Sequence, residues 1–373
     1  MTTDYRLDFY DTAGALQSVL TGSAAADASG EKAGFNGLSY TKKVNHPGFL
    51  IFTLRGDHEL LASLADKWQV EVWRKPEGEV WARDFVGVYR QPEWNHSGKP
   101  NFIGYCPGLM SIIGWRHVLW YAGTADRSAF TTEKAETIMN TLVSYNACAA
   151  ATVANGRLRE GAITGLTVEA DGAAGNTVDW FCSYDNLLES IQKLALIAGG
   201  DFDVVKTSST AWQWRFYTGQ LGTDRSASVS FSMERGNMTE VKYRISRLDE
   251  RTVVAVGGQG EQSDREVVIV TGTNYNVTTN NIEAFLNATD VSSTAGLTDR
   301  GDGYLAKVEA REEFTFEGIQ TPLTRYGVNY FLGDLVDAVN PINNVSYTAK
   351  VNQVIVSFDN QNKEKINTLI ETV

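Results

Sequence analysis

The sequence predicts a β-rich α+β protein, with two barrel- or sandwich-like β regions around a mixed α/β region. Composition is the first sign: Gly is frequent (34), Pro is scarce (7), and nine Trp, 15 Tyr and 16 Phe are present. Aromatic side chains suit half-buried pleated surfaces, and glycines suit the turns between strands. Apolar and polar residues alternate in short runs near both ends of the chain, with turn residues between them. The middle behaves differently and has the three-and-four spacing of helices.

Tyr5, Leu7 and Phe9 alternate with polar residues, and Asp11–Gly14 makes a turn into a second strand, Leu16–Leu20. A small-residue loop is expected from Thr21 to Gly30. Leu38–Val44 and Phe49–Leu54 flank Asn45-His46-Pro47-Gly48, which reads as a hairpin connection. Asp57 is placed to cap a short helix through Leu60, Leu61 and Leu64. Trp68, Val70 and Val72 alternate again, and Pro76–Glu79 turns into a strand over Val80–Tyr89.

In the middle, Thr132-Glu133 reads as a helix start, with Ala135, Ile138, Met139 and Leu142 on one stripe. Ser183 precedes a second helix, striped by Tyr184, Leu187, Leu188, Ile191 and Ala195 and ended by Gly199-Gly200. Asp201–Val205 and Trp212–Tyr217 form a strand pair.

Further on, Thr252–Val256 and Glu266–Val270 are β-branched runs joined by a Gly-rich loop. Asn281 starts a short helix through Phe285, Glu312–Phe316 is a strand, and Leu332–Val336 is a turn and strand. Tyr347–Phe358 slips in phase: Tyr347, Ala349 and Val351 share a face, while Val354, Val356 and Phe358 resume one residue late. An extra residue near Asn352-Gln353 would do this, so a β-bulge is expected there. A short helical stretch is expected over Lys363–Glu371. Neither β region has a fixed period, which argues against a solenoid or propeller.

Net charge is −12 and the pI is near 4.9, a balance that disfavours gripping a phosphate backbone. Met1–Phe9 alternates instead of running apolar, so no secretion signal is read and folding in the cytoplasm is expected. No apolar stretch approaches the ~20 residues of a membrane span. Cys106, Cys148 and Cys182 are far apart and read as buried free thiols, not as metal ligands or a disulfide framework. Asn237, Asn276, Asn287 and Asn344 sit in N-x-[ST] triplets but read as ordinary loop and strand-face residues.

Each candidate chemical site has a plainer alternative. Gly257-Gly-Gln-Gly-Glu261 follows a strand, as a dinucleotide loop does, but Ser263 stands where a third glycine belongs. Arg265–Val270 then reads as another strand, leaving no helix N-terminus for a pyrophosphate. His46, His58, His96 and His117 lack the spacing of a zinc hydrolase. Asp201 with Asp203, and Asp299 with Asp302, are the acidic pairs to test against a glycosidase or calcium site. Turn and solvent roles are the simpler reading of both. Arg55-Gly-Asp57 and Arg300-Gly-Asp302 resemble integrin tripeptides by chance. No catalytic, cofactor or metal residue is assigned.

Four blocks, taken in order, resemble the hub proteins of long-tailed bacteriophage baseplates. They are Val44–Leu54 followed by Gly56-Asp57, Trp81–Val88, Val254–Glu261 with Arg265, and Tyr326–Val336. More narrowly, they are similar to the siphophage tail hub (tail-associated protein) group, relatives of the contractile-tail central hub. The resemblance implies two β-barrel domains, 1–110 and 221–373, with the mixed region 111–220 between them. It implies a homotrimer that adapts a sixfold tail tube to a threefold tip and lets DNA pass. Contacts would be with the distal tail protein, the tail tube protein and the tape-measure protein. Many relatives carry a C-terminal extension for host binding or wall cleavage, and a chain ending at Val373 is expected to be a minimal hub. Negative charge is expected to line the lumen, where it would keep DNA from sticking. A baseplate-associated saccharide-binding module or a cell-wall hydrolase is the alternative. Exposed Trp platforms would favour the first of these and a cleft with facing carboxylates the second.

Overall fold

The computed structural model describes residues 3–23, 34–97, 99–121, 127–358 and 364–372, so the expected loop lies outside the described residues beyond Ser23. The first region holds eight strands: β1 (Thr3–Tyr10), β2 (Leu16–Ser23), β3 (Gly37–Lys43), β4 (His46–Arg55), β5 (Gln69–Pro76), β6 (Ala82–Val88), β7 (Gln91–Ser97) and β8 (Lys99–Pro107). Tyr5, Leu7 and Phe9 all point inward, as their alternation predicts.

Two local expectations are corrected here. The β3–β4 turn is only Val44-Asn45, because Lys43 already pairs with His46 and Asn45 takes the left-handed φ of 59° that Asn tolerates. Pro47 and Gly48 therefore belong to β4. Asp57 does not cap the turn at Glu59–Ala62. His58 does, its Nδ1 accepting the Leu60 N–H at 3.1 Å, while Asp57 forks onto Arg55.

The middle region runs β9 (Ser128–Lys134), α1 (Ala135–Ala147), β10 (Leu166–Val168), β11 (Thr177–Cys182), α2 (Leu187–Ala198), β12 (Gly200–Lys206) and β13 (Trp212–Thr218). Both helix starts come later than expected. Thr132 has φ 53° and lies in β9, so α1 begins only at Ala135. Asn186, not Ser183, caps α2 by accepting the Leu188 and Glu189 N–H groups at 3.1 and 3.4 Å, which leaves Tyr184 outside the helix. Gly199 ends α2 at φ 67°, as expected.

The last region contains β14 (Ser230–Phe231), β15 (Met238–Ser246), β16 (Val253–Gly257), β17 (Val267–Thr271), β18 (Glu283–Asn287), α3 (Thr294–Val308), β19 (Arg311–Gly318), β20 (Leu335–Asn340), β21 (Val345–Phe358) and β22 (Glu364–Thr372). Both short helices expected here are strands. Asn281–Phe285 leads into β18, parallel to β16, and 364–371 lies in β22, antiparallel between β19 and β21. Asp299–Gly303 is not a turn but part of α3. The bulge is where the phase slip put it: Val351 pairs with Ile370 and Gln353 with Leu369, with Asn352 left between them. The extra residue is used, since the Asn352 carbonyl accepts the Val44 N–H at 2.9 Å.

β1, β2, β5 and β6 form one antiparallel sheet in the order β2-β1-β5-β6. A larger sheet runs β15-β19-β22-β21-β3-β4-β8-β7, with β20 and β14 branching from β21. The β21–β3 pair therefore joins the two ends of the chain, and one core fills the space beneath them. Tyr5, Phe9, Phe52 and Phe102 meet Phe231, Phe314, Val354 and Ile370 there. The strand path is open at both ends among the described residues. A second core joins α1 and α2 to β12 and β13 around Trp214. A third lies between α3 and the sheet β17-β16-β18.

Candidate functional site

A buried network of charges lies where β1, β3, β5 and β6 face the Tyr326 turn and β22. Arg74 on β5 is held from four directions. It donates to Glu364 Oε1 at 2.7 Å, to the Tyr5 hydroxyl at 2.9 Å and to the Tyr326 carbonyl at 3.1 Å, and its guanidinium lies 4.9 Å from the Tyr326 ring. The Tyr5 hydroxyl also donates to Glu364. Beside this, Asp84 accepts from Lys42 Nζ at 2.7 Å, from the Tyr326 hydroxyl at 2.8 Å and from the Tyr40 hydroxyl at 2.5 Å.

Burial alone would raise the Asp84 carboxyl, but Lys42 and Arg74 overcome it and hold the group at about 2. Burial pushes the Tyr5 and Tyr40 hydroxyls well up, so both stay neutral donors. Sequence reasoning placed Tyr5 on a strand and Asp84 and Tyr326 in two of the quoted blocks, but read none of these residues as part of a site. Tyr5, Arg74, Tyr326 and Glu364 come together only after the chain's ends pair.

Two smaller links fasten the middle region to this junction. Lys206 Nζ on β12 lies 2.8 Å from Glu71 on β5, both side chains being almost fully buried, though the pair is not aligned as a hydrogen bond. Asp201 accepts from Lys350 at 2.6 Å, from Asn45 Nδ2 at 3.1 Å and from the Leu221 N–H at 2.7 Å. It thus ties the bulged strand to the β3–β4 turn and the middle region.

Asp201 and Asp203 consequently have different roles. Asp203 is half-buried on a cavity of about 200 Å³, which Asp84, Lys42 and Arg83 also line. Burial raises its carboxyl to about 6, against the opposing pull of the Val204 N–H, Lys42 and Arg215. Two carboxylates with divergent pKa values on one cavity are the pattern of an acid–base pair. Here, however, both oxygens of Asp84 are already taken by its three donors. The arrangement is that of an anchor.

Because the folded state holds the Asp203 proton more tightly than the unfolded chain, its stabilising effect is complete below about pH 4 and lost as pH rises through about 6. Asp203→Asn should therefore stabilise the protein by about 1–3 kcal/mol at pH 8 and not at pH 4. Urea melts at the two pH values test this. Equal effects at both would refute it.

The other candidates separate. Asp299 and Asp302 lie on α3, where Asp299 accepts the Asp179 N–H at 2.6 Å, and burial raises both carboxyls. Arg300 is held by the Phe181 carbonyl and Asp290, and Arg55 and Asp57 form an exposed fork. Gly257–Glu261 is the loop of the β16–β17 hairpin, clasped by Arg265 through the Gly257 and Gly258 carbonyls at 2.9 and 3.2 Å. His46 meets Gln192, His58 caps its turn, His96 is exposed on β7, and His117 contacts the Tyr184 carbonyl.

Among the described residues no group of three His, Cys, Asp or Glu side chains is placed to hold a metal ion. Cys106, Cys148 and Cys182 are free and buried, and burial pushes the last two thiols to about 12. Asn237 lies in the loop between β14 and β15, as expected, but it is buried there and bonds Ser232 and Ser230. Asn276 caps its own turn, Asn287 is exposed at the end of β18, and Asn344 takes φ 57° before β21. The most exposed tryptophans, Trp94 and Trp115, stand on separate elements, while Trp68, Trp180 and Trp214 are buried. No helix among the described residues is long and apolar enough to cross a membrane.

Comparison with known proteins gives one family and a set of folds. The family described as Siphovirus ReqiPepy6 Gp37-like protein matches residues 23–370. No curated protein matches the chain. The 43 kDa tail protein of prophage MuSo2 from Shewanella oneidensis aligns with a TM-score of 0.55 at 12% identity, covering 98% of each chain. The tail protein from Neisseria meningitidis MC58 gives 0.56 at 9%, covering 98% of this chain and 96% of that one. A chain of the lidded Francisella PdpA-VgrG complex gives 0.54 at 9%, covering 100% of this chain and 52% of its own length. At these identities the likeness is one of fold.

Proposed function

The chain belongs to the siphovirus ReqiPepy6 Gp37-like family of phage tail proteins, and from that premise we propose that it is a structural hub at the tail tip of a long-tailed bacteriophage. In this reading three copies form a ring that adapts the sixfold tail tube to a threefold tip and lets DNA through.

One observation carries the reading. The long strand path is built from two runs of four, β7-β8-β4-β3 from the first region and β21-β22-β19-β15 from the last, fused at β3–β21. A subunit with two four-stranded halves supplies six halves per trimer, which is the match a sixfold neighbour requires. Among the described residues its terminal strands, β7 and β15, each have one strand neighbour in this path, which leaves edges through which copies can join. Each half with its flanking strands would form one of two β-barrel domains, 1–110 and 221–373, around the region 111–220. The distal tail protein, tail tube protein and tape-measure protein are the proposed neighbours. The proposed location is the virion baseplate, assembled in the host cytoplasm.

The sheet face turned away from the core carries Lys43, Arg55, Lys242 and Arg244 beside Glu93 and Glu240. Both signs are present, so a passage lined by this face would be mixed in charge, not acidic as the net charge led us to expect. No catalytic, cofactor or metal residue is proposed.

Negative-stain images of the purified protein test the reading. Rings of three with a central opening are expected, and compact monomers at every concentration would overturn it.

A further inference from the structure

The hairpin unit that contains Gly257–Glu261 has one covered and one open face. Val254, Val256, Val270 and Leu286 pack on α3, which itself lies against β11 of the middle region. On the opposite face, cross-strand pairing sets Ile269, Ala255 and Phe285 in one row. Ile269 is 61% exposed and Phe285 59%, with Val267 beside them at 49%. Arg265 fixes this face: it reaches 5.3 Å from the Phe285 ring while clasping the hairpin. Glu283 shares the face, and Glu261 and Asp264 stand exposed at the hairpin end. Residues 249–309 hold ten acids and four bases, a net −6 that is half the charge of the chain.

A surface of opposite character stands on the middle region. The loops around 115–121 and 153–160 expose Trp115, Val153 and Leu158, the last by 58%. Arg116, Arg157 and Arg159 lie together there, and among the described residues none makes an ion pair. Arg157 is buried with only neutral acceptors, Asn146 Oδ1 and the Arg159 and His117 carbonyls. Burial and then mutual repulsion lower the proton affinity of Arg116 and Arg157, which marks an uncompensated positive field. Glu160 and Asp185 are the acids nearby, and Glu160 is engaged by the Val153 N–H at 3.1 Å.

We propose that the open face of β17-β16-β18 in one copy seats on the arginine-rich loops at 115–121 and 153–160 of a second copy. The inference rests on the ring reading and specifies one contact within it. Both surfaces are apolar at the centre, and the exposed acids Glu261, Asp264 and Glu283 flank one while Arg116 and the exposed Arg159 flank the other. The contact is heterologous, each copy using one patch for each neighbour, and such contacts form a ring when the rotation between copies closes.

Sedimentation velocity on the full chain tests it with two variants. One carries Ile269→Asp and Phe285→Asp, and the other Leu158→Asp and Arg159→Glu, all at exposed positions. Each alone should weaken assembly about 100-fold or more, because a charge is forced onto the apolar centre. Mixed together, they should form one-to-one dimers through the one intact pair of patches. If both variants assemble as the unaltered chain does, the contact is refuted and the ring reading survives. If the unaltered chain is monomeric at all concentrations, both fall.

Discussion

Arg74→Met is expected to cost about 3–5 kcal/mol of stability, because it leaves the buried Glu364 carboxylate without its ion-pair partner. Arg74 and Glu364 are 4% and 14% exposed, so neither charge regains water cheaply once the other is gone. The Tyr5 hydroxyl and the Tyr326 carbonyl also lose a donor. Because Glu364 belongs to the last strand and Arg74 to the first region, the damage falls on the seam between the chain's ends. Replacing both members, Arg74→Met with Glu364→Met, should recover much of the loss, since an apolar pair of similar volume avoids the desolvation of two ions. Urea melts of the three proteins check this. A single variant within 1 kcal/mol of the original, or a double variant worse than the single, would show that the pair is not an interdependent unit.

Gly108→Ala should cost at least about 3 kcal/mol, at the upper end of overpacking effects. Its backbone is ordinary, with φ −64°, so conformation is not the obstacle. Space is. A Cβ on Gly108 would lie 1.6 Å from the Pro47 carbonyl oxygen and 3.0 Å from the Phe85 ring. Two backbones touch here, and neither can yield without moving β4 or β8. Gly78→Ala is the control: its φ is +84° but nothing lies within 4 Å. That change should cost only the left-handed strain of about 1–2 kcal/mol. Thermal melts should rank the two clearly, and equal shifts would refute the packing argument.

The features legible in the sequence were those set by local pattern. The bulge at Asn352 could be read because one extra residue shifts a two-residue period, and the end of α2 because Gly199 takes a conformation most residues avoid. The errors have equally local causes. Ile366, Leu369 and Ile370 fall at helical spacing, yet β22 buries Ile366, Thr368 and Ile370 in alternation. The run Asp299–Gly303 looked like a turn because its glycines are poor helix formers. In α3 those glycines permit close packing, since a Cβ on Gly301 would meet Val270 at 2.5 Å. The edge strand β7 carries little alternation to find, being exposed on nearly every residue. The buried ion network was out of reach for a different reason. Arg74 and Glu364 are 290 residues apart, and no spacing rule connects them. The candidate site is a product of the topology.

The pairing of β3 with β21 also imposes an order of events on synthesis. On the side of β3 away from β4, Lys43 pairs with Gln353. At the usual ribosomal rate of about 5–20 residues per second, β3 leaves the ribosome roughly 15–60 s before the strand that completes it. Throughout that interval one side of β3 is an unsatisfied edge, open to any strand in the surrounding medium. The protein therefore commits its first hundred residues to a wait, and its yield in vivo depends on how well that nascent half is shielded from other chains.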